Sequence, residues 1–210
     1  MKTLVASFGF DIDFITYRIS AVKPDRVVLL ALYTSREAYS KVEKSYHLIS
    51  VICNSTKIDC ELESIEPSNA ARAVLSILER EVKNADNVEV FLSGGPRILV
   101  ITLLVTSLLL PDELASKIRV VAEGEGFDCR LELDVKSFIE RMRIDARSKE
   151  ILNKIELIDN ATFGEISHRV PDIPRSTMYR RLDELLKRGL IEKVNGYYVA
   201  KKPLKVECGD

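Results

Sequence analysis

The segment Ser93-Gly94-Gly95-Pro96-Arg97 carries the residue types best suited to holding an anion. It follows a short apolar run at residues 88–92 and precedes a longer one at residues 98–110, which predicts a buried strand, a tight turn and a buried helix. The arginine brings a guanidinium with five N–H donors to the start of that helix, where backbone N–H groups already favour negative charge. The glycines allow a sharp turn and close approach to a ligand. The segment therefore predicts a phosphate-binding turn.

The roles of single residues in this turn stay open at the level of sequence. Pro96 fits the first helical position, where its missing N–H is not needed. Ser93 can cap the helix or offer its hydroxyl to a ligand. Gly94 and Gly95 are equally compatible with a simple strand-to-helix turn, and Arg97 with a surface ion pair. Because Arg97 follows the carboxyl end of a strand, a role in ligand binding is favoured over a surface ion pair.

Short apolar runs alternate with amphipathic helical patterns over residues 1–134. This alternation predicts an α/β fold with an open, Rossmann-like, mainly parallel sheet, in which ligands bind beyond the carboxyl ends of the strands. Neither a GxGxxG motif nor a Walker A lysine is present, which disfavours dinucleotide binding and NTP hydrolysis. Strands are predicted at residues 4–8, 26–33, 58–63, 88–92, 118–123 and, as an edge strand, 128–134. The candidate ligand residues are Ser7, Gly9, Phe10, Thr34, Ser93, Gly94, Gly95, Pro96 and Arg97.

Composition narrows the class of protein further. The 210 residues are 46% hydrophobic and 30% charged, and no segment has the length of a membrane span or the pattern of a signal peptide, so a cytoplasmic protein without a membrane partner is expected. Four cysteines show no CxxC spacing, and the two histidines have no partner at metal or triad spacing. We expect free thiols, no metal and no cofactor.

Charge divides the chain into two parts. Residues 1–145 carry 18 Lys and Arg against 22 Asp and Glu, whereas residues 146–205 carry 13 against 8. A basic C-terminal part suggests nucleic acid as its partner. The predicted organisation is a ligand-binding and dimerisation domain at 1–134, a linker at 135–146 and a second domain at 147–202.

The second domain has the pattern of a winged helix-turn-helix. Helices are predicted at residues 148–158, 163–170 and 175–187, and Asn195-Gly196 predicts a hairpin turn between two short strands. Thr162 and Glu165 have the spacing of a capping box. The alternative is an interaction or dimerisation module that does not bind DNA. The candidate DNA-binding residues are Arg175, Ser176, Thr177, Tyr179, Arg180, Arg181, Lys193 and Asn195.

These elements resemble archaeal CRISPR-associated transcription regulators that join an N-terminal CARF domain (CRISPR-associated Rossmann fold) to a C-terminal winged helix-turn-helix. Residues 7–10, 93–97 and 146–200 carry the resemblance, which covers nearly the whole chain. It implies a homodimer that binds cyclic oligoadenylate, often cyclic tetra-adenylate, across its two-fold axis as an effector. It also implies that the winged helix binds double-stranded promoter DNA. The residues that it places at the ligand are Gly9, Phe10, Gly94, Gly95 and Arg97.

Three functions follow as hypotheses. The preferred one is a transcription regulator of antiviral CRISPR defence, in which the ligand alters promoter binding. The second is a metal-independent ring nuclease, in which Ser7 or Ser93 and Arg97 would act on the cyclic ligand. No general base is evident, so no catalytic residue is assigned. The third is a structural adaptor with neither activity.

Overall fold

A computed structural model describes residues 1–124, 126 and 128–209. The chain forms two compact units. The first comprises residues 1–135 together with the C-terminal segment that begins at Lys205, and the second comprises residues 136–204. The chain therefore leaves the first unit, builds the second and returns to the first.

The described residues of the first unit form a sheet of seven strands in the order β3-β2-β1-β4-β5-β6-β9. The strands β1 to β5 pair in parallel and β6 runs antiparallel to β5. This confirms the predicted Rossmann-like, mainly parallel sheet. The strands are β1 (Lys2–Ser7), β2 (Arg26–Leu32), β3 (Asp59–Ile65), β4 (Asn87–Phe91), β5 (Ile118–Glu123), β6 (Cys129–Asp134) and β9 (Leu204–Cys208), with β7 (Ile191–Val194) and β8 (Tyr197–Ala200) forming a hairpin in the second unit.

Helices cover both faces of this sheet. Successive strand residues point to opposite faces, so Leu4 and Leu29 pack on α1 and α2, whereas Val5 and Val28 point to the face that α4 covers. Strand β2 is buried on both faces, as its continuous apolar run predicts. The helices of this unit are α1 (Asp13–Val22), α2 (Arg36–Thr56), α3 (Ala70–Asn84), α4 (Arg97–Leu108) and the short α5 (Asp112–Ala115).

The C-terminal segment corrects two predictions. Strand β9 lies beside β6, so β6 is not the edge strand that its alternating pattern suggested. Cys129 of β6 is bonded to Cys208 of β9, with their Cα atoms 4.0 Å apart, so these two residues are not free thiols. Cys53 and Cys60 are free. Spacing gave no sign of the bond because its residues lie 79 positions apart and meet only when β9 joins the sheet.

The second unit contains α6 (Val135–Arg143), most of the segment predicted as a linker, and then α7 (Ala146–Glu156), α8 (Phe163–Arg169), α9 (Arg175–Lys187) and the β7–β8 hairpin. Apolar residues of α7, α8, α9 and the hairpin share one core. The predicted capping box is confirmed, since Thr162 and Glu165 each accept the other's backbone N–H. Asn195 and Gly196 both have positive φ, as a tight hairpin turn requires.

Asp145 fixes the start of α7, two residues before the predicted position. Its carboxylate accepts the backbone N–H groups of Arg147 and Ser148, the Ser148 hydroxyl at 2.8 Å and an Arg181 guanidinium N–H at 2.7 Å. Desolvation opposes the charged form, but the hydrogen bonds from Ser148 and Arg181 outweigh it and lower the pKa of Asp145 to about 2. The Arg181 side chain is therefore held in an ion pair within the second unit.

Within the described ranges, no helix has the length and apolar character needed to cross a membrane.

Candidate functional site

A groove lies at the carboxyl ends of the central parallel strands. Strand β1 has β2 on one side and β4 on the other, so the loops that follow β1 and β4 meet where the strand order reverses. The cavity there has a volume of about 440 Å³. Its lining comes from Phe8–Asp11, Leu32 and Thr34, Ala38 and Val42 of α2, and Gly94–Pro96. We call this cavity the strand-end groove.

Six of the nine predicted ligand residues line the strand-end groove: Gly9, Phe10, Thr34, Gly94, Gly95 and Pro96. Sequence reasoning missed the contribution of α2. Ala38 and Val42 lie one helical turn apart, a spacing that any face of a helix provides and that does not by itself indicate a ligand site. Phe10 is 75% exposed at the rim, so a large aromatic surface is open beside the cavity.

The glycines are required because the two loops pack backbone against backbone. Gly95 has a φ of 74°, and a Cβ there would lie 2.8 Å from the Phe8 carbonyl oxygen. A Cβ on Gly9 would lie 3.1 Å from the Gly95 Cα. Both the positive φ and the close approach therefore exclude a side chain at position 95. The resulting surface presents main chain to the groove.

The serine hydroxyls point into the turn. Ser7 is fully buried, and its hydroxyl donates to the Gly94 carbonyl oxygen at 2.6 Å. The Ser93 hydroxyl donates to the Glu123 carbonyl oxygen at 3.0 Å and accepts the Glu123 backbone N–H. Neither serine lines the strand-end groove, and Ser93 does not cap α4. These hydroxyls hold the shape of the turn.

Helix α4 begins one residue later than predicted. Pro96 is its N-cap, with extended backbone, and Arg97 is the first helical residue. The Arg97 side chain is exposed and, within the part of the chain that the structure describes, forms no ion pair. It lies outside the groove lining, at the N-terminus of a 12-residue helix whose backbone N–H groups favour an anion.

A buried network of charged side chains links α1, β4 and β5 next to the turn at residues 93–97. Sequence patterns did not indicate this network. Arg18 of α1 binds Glu89 of β4 with two parallel hydrogen bonds of 2.5 and 2.8 Å, and Glu123 of β5 with one of 2.9 Å. All three side chains are almost fully buried. Burial works to lower the pKa of Arg18, but the two carboxylates raise it above its ordinary value. Since Ser93 binds the Glu123 backbone, the network ends at the turn.

The sequence of the first unit decides the family. Residues 2–136 match the sequence model of the Csa3 CRISPR-associated Rossmann-like domain. The chain belongs to this family. The strand-end groove and the turn at residues 93–97 are thus features of a Csa3 Rossmann-like domain, and the resemblance drawn from the sequence is confirmed for this part of the chain.

No curated protein sequence matches this Csa3-type chain. Similar solved structures include Can2 from Sulfobacillus thermosulfidooxidans in complex with cyclic tetra-adenylate, at 11% identity and a TM-score of 0.44, covering 96% of this chain and 61% of Can2. Another is Enterococcus italicus Csm6 bound to cyclic hexa-2′-fluoro-hexa-dAMP, at 13% identity and a TM-score of 0.48, covering 90% of this chain and 55% of Csm6. The chain therefore spans less than two thirds of either protein. At these identities and TM-scores, the similarity does not indicate what this chain does.

The Csa3 match ends at residue 136, so the candidate DNA-binding residues of the second unit lie outside it. Arg175, Ser176, Tyr179 and Arg180 are exposed on α9, and Thr177 is half-buried. Arg181 pairs with Asp145 instead of facing solvent freely. On the hairpin, the exposed Lys193 places its ammonium 5.4 Å from the centre of the Tyr198 ring, and Asn195 lies at the exposed turn.

Two arginines of α9 remain available for an external anion. Within the described residues, Arg175 and Arg180 form no ion pair, whereas Arg181 and Arg188 do. Both available arginines lie in the N-terminal half of the helix. Their guanidinium groups can donate to phosphates or base edges without first losing a carboxylate partner.

Proposed function

We propose that this chain is a DNA-binding transcription regulator of CRISPR-based antiviral defence, controlled by a cyclic oligoadenylate. One observation carries the proposal: a single chain of the Csa3 family combines the strand-end groove with a second, basic unit whose Arg175 and Arg180 are unpaired. The groove supplies a place for an effector, and α9 supplies cations for nucleic acid. Coupling between the two sites would make promoter affinity depend on the ligand.

The second unit acts in this proposal as a winged helix-turn-helix. Helix α9 follows α8 after a short turn and is followed by the β7–β8 hairpin, which is the element order of that class. We propose that α9 enters the major groove and that Lys193 and Asn195 form the wing. The net charge of +5 over residues 146–205 supports contact with phosphates.

The first unit acts in this proposal as half of a homodimer. Ile98, Ile101, Val105 and Leu109 are 65%, 61%, 47% and 66% exposed and recur at helical spacing on one side of α4 and its C-terminal end. An exposed apolar stripe of this kind is typical of a contact surface. Because α4 begins at the ligand turn, pairing of two copies along this stripe would bring two turns together. A two-fold axis suits a cyclic ligand with the same symmetry.

Cyclic tetra-adenylate is the proposed effector. The apolar surface formed by Phe10 and Pro96 suits adenine rings, and the α4 N-terminus with Arg97 suits the ring phosphates. Ser7 and Ser93, the residues considered for ring cleavage, are hydrogen-bonded inside the turn. Their positions support binding of the ring more than its hydrolysis.

The ligand proposal predicts that Arg97→Ala weakens cyclic tetra-adenylate binding about 10- to 100-fold, the range expected for loss of a charged hydrogen bond. Calorimetric titration with cyclic tri-, tetra- and hexa-adenylate measures the affinities. Arg72→Ala is the matched control, since Arg72 is exposed on α3 and, within the described residues, unpaired. Absence of binding to every ring would contradict the proposal, and chromatographic detection of linear product would favour the ring nuclease.

The DNA proposal predicts that Arg180→Ala lowers affinity for DNA upstream of CRISPR genes about tenfold near 100 mM salt. It should also reduce the slope of log affinity against log salt by about one, because one phosphate contact is lost. Fluorescence anisotropy over a salt series, with and without cyclic tetra-adenylate, measures both quantities, and Arg72→Ala again serves as the control. A wild-type protein that binds none of this DNA in either condition rules out the regulator.

A further inference from the structure

The ring of Phe163 joins α8 to the exposed side of α9. The Tyr179 ring stacks on it with a centroid distance of 4.0 Å and an interplanar angle of 11°. The Arg175 guanidinium carbon lies 5.2 Å from the centre of the same ring. Arg175 and Tyr179 lie four positions apart, which places them one turn apart on the same side of α9. We call these three residues the aromatic clamp.

Phe163 is itself held firmly. It is the first residue of α8, directly after the N-cap Thr162, whose capping box with Glu165 fixes the local backbone. Its side chain is half-buried and packs against the core of the second unit. The ring thus has support on its inner side while it contacts two exposed side chains on its outer side.

Contact with Phe163 is the main restraint on the side chains of Arg175 and Tyr179 among the described residues. Arg175 forms no ion pair within the described residues, and Tyr179 is 50% exposed. A free arginine side chain samples many rotamers and loses that freedom when it binds a partner. Contact with an aromatic face restricts it in advance while leaving the guanidinium edge free to donate hydrogen bonds.

We propose that Phe163 is a positioning residue for DNA binding: it orients Arg175 and Tyr179 on the exposed side of α9 before DNA arrives. This inference rests on the proposed function. Phe163 need not touch DNA, since it acts through the two side chains that it orders. The guanidinium of Arg175 then meets a phosphate or base edge at lower entropic cost, and the Tyr179 ring offers its outer face and hydroxyl beside it.

The decisive variant is Phe163→Leu, which keeps an apolar side chain against the core but removes the flat ring. Affinity for promoter DNA is expected to fall about fivefold to tenfold. In a background that carries both Arg175→Ala and Tyr179→Ala the same substitution should change affinity less than twofold, because its effect passes through these two side chains. Phe163→Tyr keeps an aromatic ring at this position and should bind promoter DNA with nearly the wild-type affinity.

Ile158→Ala is the control for general destabilisation, since Ile158 packs against the same core. Circular dichroism checks that each variant is folded. If Ile158→Ala weakens DNA binding as much as Phe163→Leu, the positioning role is wrong. It is also wrong if Phe163→Leu acts equally in the wild type and in the background that lacks both Arg175 and Tyr179. If the wild type binds promoter DNA and Phe163→Leu binds it with the same affinity, this inference alone is overturned. If the wild type does not bind DNA, the proposed function is overturned as well.

Discussion

Replacing Arg18 with Met is expected to lower the free energy of unfolding by about 3–5 kcal/mol, the range observed when one partner of a buried ion pair is removed. Glu89 and Glu123 would then be left as two buried carboxylates without their shared guanidinium. Their mutual repulsion and their desolvation would no longer be offset. Urea unfolding followed by circular dichroism measures the loss, and hydrogen exchange in β4 and β5 assigns it to the first unit.

A combined variant separates the charge effect from simple loss of packing. Adding Glu89→Gln and Glu123→Gln to Arg18→Met removes the unpaired charges and should recover a substantial part of the lost stability. Arg72→Met on the exposed surface of α3 should leave the unfolding free energy within about 0.5 kcal/mol of wild type. If Arg18→Met behaves like Arg72→Met, the network does not stabilise the fold.

Loss of the Cys129–Cys208 bond is expected to have an effect of similar size. The bond closes a loop across 79 positions, and the chain-entropy relation for a loop of that length gives about 4.5 kcal/mol. The variant Cys129→Ser with Cys208→Ser should therefore unfold at a markedly lower urea concentration than the oxidised wild type. Cys208 is exposed, so a reductant can reach the bond.

Reduction provides the matched control for this prediction. A phosphine reductant should bring the wild type close to the double serine variant and should leave that variant unchanged. The free residues Cys53 and Cys60 are present in both proteins, so their chemistry cancels in the comparison. Equal unfolding midpoints for oxidised and reduced wild type would contradict the stabilising role of the bond.

Individual strands and helix ends could be predicted from the sequence. The apolar run of β2 predicted a strand buried on both faces, and Thr162 with Glu165 predicted a helix start, because each signal depends on residues close together in the chain. Strand β9 was not predicted, although its three apolar residues Leu204, Val206 and Cys208 alternate with charged ones in the pattern of a strand. Five residues are few for such a pattern, and all five are exposed, so no buried face marks the segment as part of the sheet.

The candidate site was predictable in position but not in the direction of its side chains. Loops after parallel strands must meet at one edge of the sheet, so the groove at Gly9 and Gly94 followed from topology. The hydroxyls of Ser7 and Ser93 turned out to hold main-chain groups, which depends on local geometry that spacing does not encode. The pairing of Arg18 with Glu89 spans 71 positions and likewise has no local signature.

The return of the chain to β9 changes how the two units could be separated experimentally. The second unit is an insertion within the first, because residues on both sides of it belong to the same sheet. A stop codon after the second unit would remove β9 and leave β6 as an open edge with an unpaired Cys129. Excising the inserted residues and rejoining the flanking chain with a short linker would instead keep all seven strands of the first unit.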